Sequence, residues 1–137
     1  MPPSLLERSD LTVLLVGSGG REHAFATRLV ESPRLDTLFL APGNAGTAEI
    51  ATNVPIDAED VDALVMYSVE SGVDFVVVGP EGPLAAGLVD RLDAAGILAF
   101  GPTAAAARIE SSKWFAKELM REHGVPTALT RKFTDFQ

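Results

Sequence analysis

The chain has 137 residues, 47% hydrophobic and 22% charged, with a formal net charge of -8; this suits one folded domain with a short appendage and is too apolar for a disordered chain. The acidic balance repels nucleic-acid backbones and anionic lipid surfaces, so neither nucleic acid nor membrane is an expected partner, although backbone amides can still hold a small anion locally. No cysteine is present, which removes disulfides, zinc thiolates, iron-sulfur clusters and thiol nucleophiles together; with no signal-peptide run in residues 1–10 and no apolar stretch near ~20 residues, a cytoplasmic protein is expected.

Residues 1–9 read as an N-terminal extension with no assignable role. Residues 11–16 form an apolar run without period-2 alternation, the pattern of a strand buried on both faces. A glycine turn leads into a helix over 21–32, with Ala24, Phe25, Arg28, Leu29 and Ser32 on one side and Pro33 as its stop. A second strand is expected at 37–41. Asp57 is placed to cap a helix over 58–71, with Val61, Leu64, Val65 and Val69 as its buried stripe and Gly72 as its end. A third strand over 73–78, a helix over 84–95 on Leu84, Leu88, Val89 and Leu92, and a fourth strand over 97–100 complete the alternation. Such alternation implies βαβ crossovers and an α/β parallel-sheet domain over 10–103. Residues 104–137 follow as a helical segment, helical from Ala104 to His123 and closed by Gly124. Thr134-Asp135-Phe136-Gln137 makes a T-x-x-Q capping box at the last residue, so a longer polypeptide is expected.

Three loops carry the chemistry. Gly17-Ser18-Gly19-Gly20-Arg21-Glu22-His23 follows the first strand; small residues there let amides and a helix N-terminus approach a phosphate, or simply make a tight turn. Gly43-Asn44-Ala45-Gly46-Thr47 follows the second strand, as a concave array of amides or a plain surface turn. Gly79-Pro80-Glu81 follows the third, with Glu81 placed to accept from an amine or sugar hydroxyls, or merely solvated. In a parallel sheet all three emerge at one rim. Arg21 is the natural anion partner, and His23 either contacts ligand or, as favoured, serves a structural cap.

The dinucleotide fingerprint G-x-G-x-x-G fails, because Glu22 stands at the third glycine and the second strand ends in Ala41-Pro42-Gly43 without a ribose-binding acid. No G-x-x-x-x-G-K-[ST] loop occurs either. These absences argue against a nicotinamide-dependent oxidoreductase and a P-loop enzyme.

In chain order, Gly17-Ser18-Gly19-Gly20-Arg21-Glu22-His23-Ala24, Ala41-Pro42-Gly43-Asn44-Ala45-Gly46-Thr47, Val76-Val77-Val78-Gly79-Pro80-Glu81, Gly101-Pro102-Thr103 and Glu110-Ser111-Ser112-Lys113 with Phe115-Ala116-Lys117 resemble the consecutive blocks of the phosphoribosylamine-glycine ligase family of the ATP-grasp superfamily. Gly82 stands where many relatives have alanine. The resemblance implies a pre-ATP-grasp, Rossmann-like domain on the substrate side of an ATP-dependent carbon-nitrogen ligase of purine biosynthesis. Its substrates are implied to be 5-phosphoribosylamine, glycine and ATP, with Mg2+, and Lys113 is implied to approach the nucleotide; without the resemblance it reads as an exposed helical lysine. The glycine-rich ATP loop and the magnesium-binding acids are expected beyond Gln137, so the chain alone is expected to be inactive and to hold no cofactor tightly. Ile109, Trp114, Phe115, Leu119 and Met120 are expected to leave an apolar face over 104–123 capable of weak self-association. The competing reading is a stand-alone module that binds a phosphoribosyl metabolite.

Overall fold

The computed structural model describes residues 7–131 and 133; the Thr134 capping box and residues 1–6 lie outside them. Five parallel strands, β1 (Leu11–Gly17), β2 (Leu35–Pro42), β3 (Thr52–Asn53), β4 (Phe75–Val78) and β5 (Leu98–Phe100), pair in the order β3-β2-β1-β4-β5. β1 is central, which explains its run of valines and leucines: Val13 and Leu15 face one side of the sheet, Leu14 and Val16 the other.

One helix, α1 (Gly20–Leu29), covers the first face, packing Ala26 and Leu29 with Val13, Leu15, Leu38, Leu40 and Val77. The second face is covered by α2 (Val61–Glu70), α3 (Glu81–Ala85), α4 (Leu88–Ala94) and α5 (Ala104–Ser111), whose Leu64, Leu84, Leu88, Leu92 and Ala107 pack on Leu14, Val16, Val76 and Val78. The core thus extends past residue 103. Leu64, Leu88 and Leu92 are fully buried, and truncating such a side chain to alanine costs about 2–5 kcal/mol. The last helix, α6 (Lys113–Glu122), packs on α5.

Several local expectations change. α1 turns Glu22, Ala26 and Leu29 inward, leaving Ala24, Phe25 and Arg28 exposed, because small Ala26 lets the helix approach the sheet and Glu22 is held beneath the loops. α2 is capped by Asp60, whose carboxylate accepts from the Ala63 N–H at 3.0 Å, while Asp57 accepts from the Glu59 N–H in the preceding turn. On α2 it is Ser68, bonded to the Leu64 carbonyl, that is buried; Val69 is exposed. The helix expected at 84–95 is two, α3 and α4, divided at Gly87, whose φ of +89° no side-chain-bearing residue adopts readily. The helical run from Ala104 is likewise divided at Ser112, which leaves helical geometry and caps α6 by accepting from the Phe115 N–H.

β1 leads through α1 on one face to β2, and β4 leads through α3 and α4 on the other face to β5. Adjacent strands whose connections leave in opposite directions make a topological switch point, the place where sheets of this kind open a ligand crevice beyond their carboxyl ends.

Candidate functional site

The loops after β1, β2 and β4 lock together at this rim. Gly43 donates its N–H to the Gly17 carbonyl at 3.1 Å, and Gly79 donates to the Val16 carbonyl at 3.0 Å. The Asn44 amide Nδ2 donates to the Ser18 carbonyl at 2.9 Å, and Arg21 Nη2 donates to the Gly79 carbonyl at 2.6 Å, spanning the β1–β4 crevice. The convergence expected of a parallel sheet is therefore realised in direct contacts.

Glu22 organises the first loop. Gly19 precedes α1 in extended conformation, and Glu22, at the third helical position, reaches back so that Oε2 accepts the Gly19 N–H at 2.7 Å. This is one half of a capping box, since Gly19 has no side chain to supply the other. Glu22 Oε1 accepts from Arg21 Nε at 3.0 Å, and Glu22 is 4% exposed. Its side chain runs beneath three glycines: a Cβ at Gly17, Gly19 or Gly79 would lie 2.5, 2.8 or 2.2 Å from its atoms. Room for a buried carboxylate favours glycine at those positions, and at Gly17 a φ of +129° demands it as well; at Gly20 a Cβ would meet nothing within 4 Å.

The second loop is an internal network. Asn44 donates its N–H to Thr47 Oγ1 at 2.8 Å, Thr47 returns its N–H to Asn44 Oδ1 at 3.0 Å, and Asn53 Nδ2 donates to the Asn44 carbonyl at 2.8 Å. Thr47 is fully buried and its hydroxyl donates to Asn53 Oδ1 at 2.9 Å. The amides of Gly43, Asn44 and Thr47 are thus used within the protein, and the His23 ring packs against Gly46. Asn53 had no sequence signal, since it sits on a two-residue polar strand.

In the third loop Glu81 stands in the first turn of α3, exposed, rather than in open loop, with Pro80 before it. Glu59, expected within a helix, lies beside Gly82 and adds a second carboxylate on this side. Ala45 and Lys113 are exposed, the latter at the start of α6. Among the described residues no group of three or more histidine or acidic side chains is gathered as for a metal ion, and no helix is long and apolar enough to cross a membrane.

The groups with shifted titration lie at the opposite end of the sheet. Arg8 hydrogen-bonds Asp10 and Asp74, whose Oδ2 in turn accepts the Thr12 N–H at 2.9 Å. The hydrogen bond and charge of Arg8 hold the Asp10 carboxyl below its ordinary value, and the two carboxylates raise Arg8. This clamp holds the starts of β1 and β4 together.

Residues 11–110 match the family described as phosphoribosylglycinamide synthetase, N domain. The chain belongs to that family. This synthetase N domain is 51% identical over 123 residues to the phosphoribosylamine–glycine ligase of Agrobacterium fabrum, covering 90% of this chain and 29% of the relative. It is 53% identical over 124 residues to the human trifunctional purine biosynthetic protein adenosine-3, covering 89% of this chain and 12% of that protein. The crystal structure of phosphoribosylamine–glycine ligase from Thermotoga maritima superposes with a TM-score of 0.65 at 30% identity, covering 87% of this chain and 26% of that one. The chain therefore spans under a third of the length of the ligases it matches, and the family's matched span runs into α5 as far as Glu110, in keeping with Ala107 in the core.

Proposed function

We propose that this chain is the substrate-side domain of a phosphoribosylamine-glycine ligase, which joins glycine to 5-phosphoribosylamine with ATP to give glycinamide ribonucleotide in purine biosynthesis. The observation that carries this reading is the interlocked rim at the β1–β4 switch point, in a chain about half identical to proteins named for that activity. The rim's Gly17, Gly19, Gly20, Arg21, Glu22 and His23, with Gly43, Asn44, Ala45, Gly46 and Thr47 and with Gly79, Pro80 and Glu81, form the phosphoribosyl site. In that set Arg21, Glu81 and the loop backbone meet the ligand, while Glu22, Asn44 and Thr47 hold the loops in register.

Joining a carboxylate to an amine requires an activated acyl group, here a glycyl phosphate formed with ATP, and phosphoryl transfer depends on cations placed around the transferring group. Mg2+ bound with a nucleotide is usually held by one or two carboxylates together with the substrate phosphates, and among the described residues no group of three or more histidine or acidic side chains forms a cage of its own. In this reading Lys113 faces the nucleotide from one side, and the other ATP and Mg2+ ligands belong to the rest of the ligase. The cytoplasmic setting belongs to the same reading, as does weak self-association through the α5–α6 face around exposed Ile109; sedimentation velocity that stays monomeric at all concentrations would remove that last point.

Calorimetric titration of the 137-residue chain with glycinamide ribonucleotide tests the assignment, with NADH as control. Saturable binding of the ribonucleotide, none of NADH, and no ADP release above background from ATP, glycine and phosphoribosylamine are expected. Absence of ribonucleotide binding, or turnover by the chain alone, overturns it.

A further inference from the structure

The side-chain hydrogen bonds along the rim form a series. Asn53 Nδ2, at the end of β3, donates to the Asn44 carbonyl after β2 at 2.8 Å; Asn44 Nδ2 donates to the Ser18 carbonyl after β1 at 2.9 Å; and Arg21 Nη2 donates to the Gly79 carbonyl after β4 at 2.6 Å. The carboxyl ends of four neighbouring strands are thus tied together by three side chains. Asn53 is the outermost of these and lies outside the residues assigned to the phosphoribosyl site. Its partners fix the chemistry it must supply. The Asn44 carbonyl can only accept, so the Asn53 nitrogen faces it, and Asn53 Oδ1 is left to accept the Thr47 hydroxyl at 2.9 Å. One short amide therefore provides a donor and an acceptor at two atoms, which neither aspartate nor leucine at this position does. What these bonds hold is the tip of the second loop. Asn44 and Thr47 bracket Ala45 and Gly46, and each bracketing residue is fixed both to Asn53 and to the other, through the Asn44 N–H on Thr47 Oγ1 and the Thr47 N–H on Asn44 Oδ1. The His23 ring lies against Gly46 from the other side. By contrast, the Ala45 and Gly46 N–H groups have no acceptor among the described residues, and Ala45 is exposed. Adjacent free amides on a braced loop are donors kept in place for oxygen atoms arriving from solvent.

We propose that Asn53 is a positioning residue for ligand binding, holding the Ala45–Gly46 tip in the arrangement in which its two amides meet the phosphoribosyl ligand. The ligand rests on the ligase reading above; the bracing of the tip by Asn53 does not. This gives the short β3 a use: paired with β2 only at Thr52 and Asn53, it carries Asn53 to an edge position from which one amide spans both Asn44 and Thr47. Without that amide the tip samples other arrangements, and a loop that is ligand-ready about a tenth of the time binds about tenfold more weakly.

The test titrates glycinamide ribonucleotide calorimetrically into wild type, Asn53→Ala, Asn53→Asp and Val54→Ala, with 15N relaxation of the same proteins below their melting transitions. Val54→Ala is the control, because the Val54 side chain follows Asn53 directly but is buried in the core, so its loss lowers stability without touching the loop. Both Asn53 variants are expected to lose about tenfold in affinity and to show faster motion at Ala45 and Gly46. Asn53→Asp is expected to do no better than Asn53→Ala, although it keeps the acceptor for Thr47. Val54→Ala is expected to melt lower yet keep the affinity and the rigid tip. Asn53 variants that bind as tightly as wild type, or an equal loss of affinity in Val54→Ala, overturn the proposal. Should neither Asn53 variant fold, wild type decides alone: Ala45 and Gly46 as rigid as β2 support it, and a mobile tip overturns it. Failure of the ligase reading is distinct: wild type then binds no ribonucleotide, while the contrast in tip motion between the Asn53 and Val54 variants persists.

Discussion

Alanine at position 79 would place a methyl carbon 2.2 Å from Oε1 of Glu22 and 2.7 Å from its Cγ and Cδ. The backbone at Gly79 is not left-handed, so the cost is crowding and not strain. Glu22 is buried and touched along its stem as well as at its tip, so it relieves the contact only by withdrawing the carboxylate from Gly19 and Arg21. Losing a hydrogen bond to a charged group costs about 1.5–3 kcal/mol, and overpacking a filled site costs about 1–3 kcal/mol. Because withdrawal relieves part of the crowding, the two overlap, and the net loss is about 2–4 kcal/mol, a fall in melting temperature of roughly 10 °C for a domain of this size. Gly20→Ala is the internal control: its Cβ meets nothing within 4 Å, and replacing a helical glycine stabilises by about 0.4–1 kcal/mol. Thermal and urea denaturation of the two variants measure the difference. If Gly79→Ala is as stable as wild type, or Gly20→Ala loses more than Gly79→Ala, the packing of Glu22 beneath the loops is refuted.

Arg21→Ala removes the bridge across the crevice to the Gly79 carbonyl, and is expected to weaken glycinamide ribonucleotide binding about tenfold, near 1.4 kcal/mol, with a smaller change in melting temperature; calorimetry and a thermal melt separate the two. Asn44→Ala loses both the link to Ser18 and the acceptor for the Thr47 N–H, and should cost about 1–3 kcal/mol in urea unfolding, with amide shifts spreading into both the first and second loops. Asp10 should titrate below its ordinary value of 3.8 in a carboxyl NMR titration, and Arg8→Ala should return it upward. Because the folded carboxyl is depressed, its stabilising contribution is present above the unfolded value and is lost as pH falls through the folded one, so the variant's stability should be less sensitive to acid in that window.

Strands β1, β2 and β4 were legible because a sheet covered on both faces demands unbroken apolar runs, and residues 13–16, 38–41 and 76–78 supply them. β3 was not, since Thr52 and Asn53 carry no pattern and are recruited by pairing with Phe39 and Leu40. Helix breaks were missed for a related reason: Gly87 and Ser112 each have readings compatible with a continuous helix, and only packing against neighbours decides for a break. The rim itself was legible from topology, because glycine-rich ends of parallel strands must meet at one edge. What those glycines do there was not. Gly17, Gly19 and Gly20 look alike in sequence, yet two of them clear space for Glu22 and the third faces open space. A charged residue three positions into a helix reads as exposed by composition, and only the close approach of Gly79, far along the chain, encloses it. Asn44 and Thr47 read either as part of a concave amide array or as a plain surface turn, and the Asn53 side chain that closes their network from β3 carried no signal.

The central claim, that the rim at the carboxyl ends of β1, β2 and β4 is the phosphoribosyl site, is tested most directly by mapping ribose 5-phosphate onto the assigned amide spectrum of the chain. Saturable shifts are expected at Arg21, Ala45, Gly46, Gly79 and Glu81 with one common affinity. Shifts confined to the other end of the sheet, at Thr12, Leu35 and Asp74 beside the Arg8 clamp, would contradict the account.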